Sequence, residues 1–405
     1  MPDPARIAAR LDALWEIALG GGGGADRPAF SAAEAEAMRL VAGWAQEAGL
    51  EPTLDPFGNL WALPAGFDGP VVTAGSHVDT VPDGGRYDGA LGTVLGLELA
   101  SDLPACGLLV CVAEEAPRFG AGTIGSRLLV GTLAPADLDG FRDARGVSAA
   151  DAQGSYLEAL SELARGMPAP ERIRAHAEIH VAQRRDLREI GMVSRVAAPR
   201  RLEVVITGQA GHSGEVSMAE RHDALAAAAE LVLAVEAAAR DEAADTMATV
   251  GTLTVSPGAM SVVPGKATLG IDARSTSAAA LDRLEAAVRA RAASIAAARI
   301  VQADVRLVRG GPPTQLDCDL VASALSAAGH AGVPAVETWS GAGHDAQHLA
   351  ALMPTLLLFV PLHGGESHTP FEDASMDEIL AATAIAAEVL GGELERGRGS
   401  DKGHG

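Results

Sequence analysis

Two short segments combine an imidazole with carboxylates in a pattern that suits a metal ion. The turn after the apolar run 70–74 carries His77, Asp79 and Asp88, and the adjacent acids Glu114-Glu115 follow a second apolar run. Imidazole nitrogens and carboxylate oxygens are donors that zinc and similar divalent ions take in proteins. A further carboxylate beside such a site is suited to accept a proton from water. The pattern therefore predicts metal-assisted hydrolysis.

Two histidines further along the chain extend this set of donors. His180 ends a strand-like run, and His368 follows the apolar strand 356–360. Each residue also has a plainer interpretation, because a lone histidine at a strand end is usually structural and an acid pair is usually a solvated turn. Asp79 is either a turn residue or a group that orients His77. The combined pattern, and no single residue, supports a site for two cations.

Composition and charge argue against several classes of protein. The 405 residues carry a net charge of -22, which disfavours nucleic acid and anionic membrane surfaces as partners. We expect no signal peptide and no membrane-spanning segment, because no apolar run is long enough. Cys106, Cys111 and Cys318 show no paired metal spacing, so we expect free thiols in a reducing compartment. The sequence predicts a cytoplasmic protein that acts on a small molecule.

The order of predicted strands and helices indicates an α/β fold. Strands and helices alternate before about residue 200 and again after about 317, which is typical of a mainly parallel sheet with sites at the carboxyl ends of its strands. Between these parts, the order β-α-β-β-α-β predicts an inserted ferredoxin-like α+β domain that acts as a lid and in dimerisation. The predicted boundaries are a first catalytic part at 1–200, the inserted domain at 201–314, a second catalytic part at 315–392 and a disordered tail at 393–405.

The chain resembles a family of dinuclear-metal amidohydrolases. This family includes N-carbamoyl-L-amino-acid hydrolases, β-ureidopropionases and allantoate amidohydrolases, within the clan of aminoacylase and carboxypeptidase-type metallopeptidases. The similarity runs from about Arg6 to Leu390, and its matching segments occur in the family's order. They are 75–98, 114–120, 179–183, 207–233, 249–274, 340–346 and 367–370. The resemblance implies a hydrolase of linear carbon–nitrogen bonds on a mainly parallel α/β fold.

The resemblance also implies a role for each metal ligand. Asp88 would bridge two divalent cations in each subunit. His77 and His180 would complete the coordination of one cation, and Glu115 and His368 would complete that of the other. Zinc is the favoured ion, with manganese, cobalt and nickel as alternatives that accept the same donors.

Catalytic and substrate-binding groups follow from the same resemblance. Glu114 would be the general base and later the proton donor, and Asp79 would support the neighbouring histidine ligand. His212 would stabilise the developing oxyanion, from the partner subunit in dimers of this family. Arg274 would grip the substrate carboxylate, with an exposed salt bridge as its alternative role. Further substrate contacts are implied for Gln183, Ser261, Gly343 and His344, the last with helix capping as its alternative.

The departures from the family's pattern cluster on the substrate side, at Ala116-Pro117, Leu362, His363 and Thr369 as well as at the three positions that follow. Ala182 replaces a carboxylate, Arg184 introduces a cation, and Ser261 replaces an asparagine with a shorter hydroxyl. These changes leave water activation intact but bear on recognition of a ureido group. We predict hydrolysis of a linear carbon–nitrogen bond in a small N-substituted amino acid, most like an N-carbamoyl amino acid, by a homodimer that pairs through the inserted domain.

Two alternative functions stay open from the sequence. The first is hydrolysis of an N-acyl amino acid or a dipeptide, or a tailoring amidase reaction, by an enzyme of the same clan. The more distant alternative is a non-catalytic metal-binding scaffold. Loss of Glu114 or of a metal ligand would favour the scaffold, and all of these residues are present.

Overall fold

The chain divides into two compact units. The structure is a computed structural model that describes residues 2–363 and 366–400. The larger unit comprises Met1–Ser194 and Gln315–Gly405, and the smaller unit comprises Arg195–Thr314. The α-helices of the described residues are, in chain order, α1 Pro4–Trp15, α2 Ala32–Glu47, α3 Ala90–Asp102, α4 Ile124–Leu129, α5 Ala149–Ala159, α6 Ala224–Arg240, α7 Ala278–Arg299, α8 Cys318–Ala331, α9 Asp345–Leu349 and α10 Met376–Ser400.

The β-strands form two main sheets and one short ribbon. In chain order they are β1 Leu50–Leu54, β2 Leu60–Pro64, β3 Val71–Gly75, β4 Cys106–Val110, β5 Ala164–Arg165, β6 Ile173–Val181, β7 Ile190–Val196, β8 Ala198–Thr207, β9 Gly211–His212, β10 Met247–Ser256, β11 Val262–Val263, β12 Lys266–Ser275, β13 Gln302–Gly310, β14 Thr314–Gln315, β15 Ala335–Ser340 and β16 Thr355–Val360.

The larger unit is built on a mixed sheet whose centre is parallel. The strand order is β14-β7-β16-β6-β3-β4-β2-β1-β5, and β15 pairs with β7. Strands β16, β6, β3 and β4 run parallel to one another, whereas β7 and β2 flank them in antiparallel pairing. Every residue of β3, β4 and β16 is buried, as expected for strands covered on both faces. The predicted α/β class with a mainly parallel sheet is confirmed.

Buried helices fix the segments that lead into the candidate site. Residues 90–100 of α3 are all buried, because this helix is apolar on every side and is enclosed by the core. Asp88 lies just before α3, so a rigid helix holds this candidate ligand. Ser31 caps α2, and its hydroxyl accepts a hydrogen bond from the Glu34 amide at 3.1 Å.

The smaller unit has the predicted β-α-β-β-α-β order. Its sheet has the strand order β10-β12-β8-β13, with antiparallel pairing throughout. Apolar side chains of the sheet and of α6 and α7 form one core, which includes Val204, Leu231, Leu269 and Val288. The ribbon of β9 and β11 pairs His212 with Val262.

The carboxyl-terminal segment differs from the prediction. The sequence predicts disorder over 393–405, but α10 continues to Ser400, and residues 401–405 lie outside the described part of the chain. Glu393 and Arg396 form an ion pair one helical turn apart, and both residue types favour helix. These side chains prolong the helix beyond Gly391 and Gly392. Among the described residues, no helix has the length and apolarity needed to cross a membrane.

Candidate metal centre

The predicted metal ligands gather at the carboxyl ends of parallel strands. His77 follows β3, Glu115 follows β4, His180 lies at the end of β6, and His368 follows β16. Asp88 reaches the same place from the start of α3. Neighbouring parallel strands end on one edge of their sheet, where α/β proteins place their ligand sites. The structure therefore brings together all five residues predicted as metal ligands.

Asp88 lies between two groups of donors. Its Oδ1 is 3.0 Å from Nε2 of His180 and 3.6 Å from Nε2 of His77. Its Oδ2 is 3.1 Å from Nε2 of His368, and that nitrogen is 3.6 Å from Oε1 of Glu115. The five predicted donors form two clusters, each of a size that could hold one ion, and the Asp88 carboxylate belongs to both. A third group of donors, Glu178, His180 and His344, shares His180 with the first cluster.

The hydrogen bonds of two buried histidines show that the first cluster fits a cation. Nδ1 of His77 lies 3.0 Å from the carbonyl oxygen of Asp79, and Nδ1 of His180 lies 3.0 Å from that of Val181. A carbonyl only accepts, so each Nδ1 carries a hydrogen and Nε2 is the nitrogen left to coordinate a cation. The two Nε2 atoms face each other at 3.4 Å. They also face Asp88 Oδ1, a buried oxygen that accepts no hydrogen bond from the described residues. Two nitrogens and one carboxylate oxygen thus converge as donors that suit a cation.

The second cluster is more accessible than the first. The His368 side chain is 42% exposed, whereas those of Asp88 and Glu115 are buried. Its contact with the Asp88 carboxylate raises the pKa of His368 to about 9. A cation that binds there displaces this proton. Gln183, which is predicted to contact substrate, places its Nε2 3.2 Å from Nε2 of His368.

A glycine allows the close approach of the first ligands. Gly89 follows Asp88 and has a φ of 66°, in the left-handed region that side chains disfavour. A Cβ at this position would lie 2.4 Å from the His77 ring. The ring therefore packs directly on the backbone next to the bridging carboxylate.

Glu114 lies beside the ligands without belonging to either cluster. Its Oε2 is 4.0 Å from Nε2 of His77, and its side chain is buried. Burial raises the pKa of the Glu114 carboxyl well above its ordinary value, and the carboxylate of Glu115 acts in the same direction. A carboxyl with a raised pKa next to a site for water is suited to general-base catalysis.

Asp79 connects the histidine turn to the acid pair. Its carboxylate accepts the main-chain amides of Glu114 at 3.1 Å and Glu115 at 2.9 Å. Its main-chain carbonyl, as described above, accepts from His77. Asp79 Oδ1 also lies 3.4 Å from Nδ1 of His77. Asp79 therefore supports His77 through its backbone and its carboxylate, and that carboxylate also holds the loop of the proposed base.

The loop before α9 carries two predicted substrate contacts, Gly343 and His344. His344 is fully buried, and its Nε2 lies 2.8 Å from the hydroxyl of Ser340. Its ring centroid is 4.7 Å from that of His180. His344 is the N-cap residue of α9, as its alternative role predicts, although its side chain makes no capping hydrogen bond. The His344 ring packs directly behind the candidate ligand His180.

At two of the positions that depart from the family's pattern, the side chain is in contact with neighbouring groups of the protein. Ala182 is buried. The Arg184 guanidinium donates to both carboxylate oxygens of Asp186, at 3.0 Å and 2.6 Å. It also stacks over Trp339, 4.5 Å from the ring centroid. The cation at Arg184 is thus compensated by neighbouring groups.

The predicted site residues of the smaller unit lie in two places. His212 pairs with the strand that follows Ser261, near the start of β12. Arg274 lies near the end of β12 and donates to Asp272 at 2.9 Å, as its salt-bridge alternative predicts. The stretch of β12 from Lys266 to Arg274 is about 26 Å long. His212 and Arg274 therefore lie at opposite ends of this sheet.

Buried carboxylates at the site, among them Glu178, Glu372 and Glu34, were missed by the sequence analysis. Glu372 accepts main-chain hydrogen bonds from Asp88 and His368. Glu34 accepts the amide of Ala113 at 2.9 Å, immediately before the proposed base. The sequence shows that Glu372 lies four residues after a candidate ligand, but it carries no signal for either long-range contact.

Comparison with known proteins identifies the family. The model of the peptidase family M20/M25/M40 matches residues 73–391. The chain belongs to this family. An N-carbamoyl-L-amino acid amidohydrolase of Geobacillus stearothermophilus is 34% identical over 399 residues, which cover 95% of this chain and 96% of that protein. A ureidoglycolate hydrolase of Arabidopsis thaliana is 31% identical, over 90% of this chain and 81% of that protein.

Solved structures of family members agree with these matches. A hydantoinase/carbamoylase family amidase from Burkholderia multivorans superposes with a TM-score of 0.85 at 31% identity, covering 96% of this chain and 98% of that one. The predicted resemblance and fold class are confirmed. The predicted class of enzyme, a hydrolase of carbon–nitrogen bonds, is confirmed with them.

Proposed function

We propose that this enzyme is a metal-dependent amidohydrolase that holds two divalent cations and hydrolyses an N-carbamoyl amino acid. The observation that carries the proposal is the Asp88 carboxylate, which belongs to two separate clusters of donors. Relatives named N-carbamoyl-L-amino-acid amidohydrolase, which are between 30% and 34% identical, support the class of substrate.

The residues of the two clusters would hold the cations, and the neighbouring acid Glu114 would transfer protons. Three histidines and two carboxylates suit zinc, which we favour, and also manganese, cobalt or nickel. When bound, such cations polarise the scissile carbonyl and lower the pKa of water. Glu114 accepts the proton of the attacking water and passes it to the leaving nitrogen. Hydrolysis of an N-carbamoyl amino acid then yields the free amino acid, carbon dioxide and ammonia.

Recognition of the substrate requires two copies of the chain in this proposal. Arg274 binds the substrate carboxylate through its planar guanidinium, and His212 donates to the developing oxyanion. Because these residues lie at opposite ends of one sheet, a single small substrate cannot contact both within one chain. A symmetric homodimer that pairs through the smaller unit removes this conflict, since the partner subunit's His212 completes the site.

We place the enzyme in the cytoplasm, where it acts on a small molecule. Cys106, Cys111 and Cys318 are free thiols, which suits a reducing compartment. The net charge of -22 repels nucleic acids and anionic membrane surfaces.

A substrate panel tests this proposal. Purified, metal-loaded enzyme is assayed with N-carbamoyl, N-formyl and N-acyl amino acids and with ureidoglycolate, and the products are followed by mass spectrometry. We expect the highest kcat/KM with an N-carbamoyl amino acid. If no compound is hydrolysed while metal analysis shows two bound ions per subunit, the proposed class of substrate is wrong.

One observation favours N-acyl amino acids as a second candidate class. A cleft of about 460 Å³ in the larger unit has Glu115 in its wall, so it adjoins the second donor cluster. Its other lining groups are mostly apolar and include Pro28, Ala29, Phe30, Pro82 and Pro117. A cleft of this size and character suits an acyl chain, which a carbamoyl group lacks.

A substitution in the cleft separates the two classes. Ala144 lines the cleft and is exposed, so Ala144→Trp fills space without disturbing the core. For an N-acyl hydrolase we expect a lower kcat/KM with long acyl chains and little change with N-carbamoyl substrates. Equal kcat/KM values for the wild type and the variant with every acyl chain would remove this candidate.

A further inference from the structure

Glu372 places one carboxylate between the two loops that carry Asp88 and His368. The residue is 7% exposed. Its Oε2 accepts the main-chain amides of Tyr87 at 2.9 Å and Asp88 at 3.1 Å. Its Oε1 accepts the main-chain amide of His368 at 3.2 Å and the hydroxyl of Ser367 at 3.3 Å. Four donors from two loops thus converge on one buried side chain.

The contact with His368 acts on a backbone in an unfavourable conformation. His368 has a φ of 62°, in the left-handed region that residues other than glycine adopt rarely. Such a conformation persists only where the surroundings hold it. The hydrogen bond from the His368 amide to Glu372 is one such restraint. If it were lost, the backbone could relax and Nε2 would move away from Asp88.

The loop before Asp88 is shaped around the same carboxylate. A Cβ on Gly85 would lie 1.7 Å from the carboxyl carbon of Glu372, so this position has no room for a side chain. Ser367 adds a further link, because its hydroxyl lies 3.3 Å from Oδ2 of Asp88 as well as from Glu372. Glu372 therefore fixes the distance of 3.1 Å between Asp88 Oδ2 and His368 Nε2.

The first cluster shares only Asp88 with these contacts. The carbonyl groups of Asp88 and Tyr87 also accept the first amides of α3, so Asp88 has a second anchor. His77 and His180 are oriented by the carbonyl groups of Asp79 and Val181, which lie outside the hydrogen bonds that Glu372 makes with the described residues. Disturbing Glu372 should consequently affect the two clusters unequally.

We propose that Glu372 is a positioning residue that selectively sustains the second cation site, formed by Asp88, Glu115 and His368. This inference rests on the proposed dinuclear centre and deepens it. The Glu372 carboxylate aligns a rigid ligand, Asp88, with an accessible one, His368, and so sets the affinity of the second ion. Loss of a residue that orients ligands lowers metal affinity by roughly 10- to 100-fold.

Manganese titration of the metal-free, full-length enzyme tests the proposal. Calorimetry gives the affinity of each ion, and electron paramagnetic resonance detects the coupled pair of Mn²⁺ ions that a shared carboxylate produces. The variants are Glu372→Gln and Gly85→Ala, whose added Cβ would displace the Glu372 carboxylate, with His368→Ala as the reference for loss of the second site. Glu366→Gln is the matched control, because Glu366 is an exposed acid on the same loop.

We expect Glu372→Gln to reproduce the pattern of His368→Ala. The second ion should bind roughly 10- to 100-fold more weakly, the coupled signal should be lost, and the affinity of the first ion should fall much less, because only Asp88 is shared. Gly85→Ala should shift the second affinity in the same direction, so the proposal stays testable if Glu372→Gln does not fold. Glu366→Gln should bind both ions like the wild type.

Two other results have distinct meanings. If the wild type binds two coupled ions and Glu372→Gln and Gly85→Ala do so with wild-type affinities, or if both affinities fall together, the positioning role is wrong. If the wild type itself binds fewer than two ions, the dinuclear centre of the proposed function is wrong, and this inference falls with it.

Discussion

The Nε2 atoms of His77 and His180 face each other at 3.4 Å, because each ring holds its Nδ1 against a main-chain carbonyl. Both Nε2 atoms also face Oδ1 of Asp88, at 3.6 Å and 3.0 Å. Burial opposes the charged form of each ring, but the neighbouring carboxylates outweigh it and raise the pKa of both imidazoles. A cation that binds between these atoms takes the place of the protons and pairs with the same carboxylates.

Metal removal should consequently destabilise the protein as well as abolish activity. A site filled at a hundredfold excess of ligand over Kd stabilises the folded state by about 2.7 kcal/mol. We expect dialysis against a chelator to lower the Tm by several degrees, and added Zn²⁺ to restore both the Tm and turnover. Differential scanning calorimetry measures the shift, and His180→Ala serves as a control that should respond weakly to zinc. An identical Tm with and without metal would contradict the coordination that we infer.

Glu114→Gln should separate proton transfer from metal binding. The amide keeps the size of the side chain but cannot accept the proton of water, and general-base catalysis contributes roughly 10²- to 10⁴-fold. We expect kcat to fall by such a factor while metal analysis still finds two ions. The matched variant Glu115→Gln should lose metal as well as activity. Wild-type turnover by Glu114→Gln would show that another group is the base.

Asp79→Asn should impair the enzyme because it disturbs the loop that carries Glu114 and Glu115. Both carboxylate oxygens of Asp79 accept main-chain amides, from Glu114 and Glu115. Asparagine has only one accepting oxygen, so one amide would meet an NH₂ group and the loop would shift. Such changes in orienting residues cost roughly 10- to 100-fold, and we expect this loss in kcat/KM. Asp68→Asn, at an exposed loop position, should behave like the wild type. Unchanged kinetics of Asp79→Asn would refute the role of this carboxylate.

Mixing two inactive variants tests whether each site combines two chains. His212→Ala and Arg274→Ala should each be inactive alone. In a mixed dimer, one site keeps the intact Arg274 of one subunit and the intact His212 of the other. Random pairing makes half of the dimers mixed, each with one intact site of two, so activity should recover to about a quarter of the wild-type value. Sedimentation analysis confirms that mixed dimers form, and a lack of recovery despite their formation would contradict the shared site.

The candidate ligands were partly predictable from where they lie in the sequence. His77 and Glu115 come soon after apolar runs that form central parallel strands, His180 ends such a run, and His368 follows β16 after a short loop. Strand ends of this kind meet at one edge of the sheet, so residue type and position indicated a metal site, and the resemblance to the family supplied the full ligand set. The same logic predicted the order of elements in the smaller unit from periodicity alone.

The residues that hold the ligands were not predictable in this way. Glu372 meets the amide of Asp88 across 284 positions of sequence, and no periodicity encodes a contact of that kind. Arg184 looked available for substrate, but Asp186 and Trp339 already engage its guanidinium. The end of α10 was also missed, because the helix continues past the glycines at 391–392 to Ser400. In each case the outcome depends on a neighbour that only the folded chain supplies.

Anomalous X-ray scattering from a zinc-soaked crystal tests the central claim most directly. The account predicts two anomalous peaks on either side of the Asp88 carboxylate. One should be bound by His77 and His180, and the other by Glu115 and His368. A single peak, or peaks that do not share Asp88, would contradict the account.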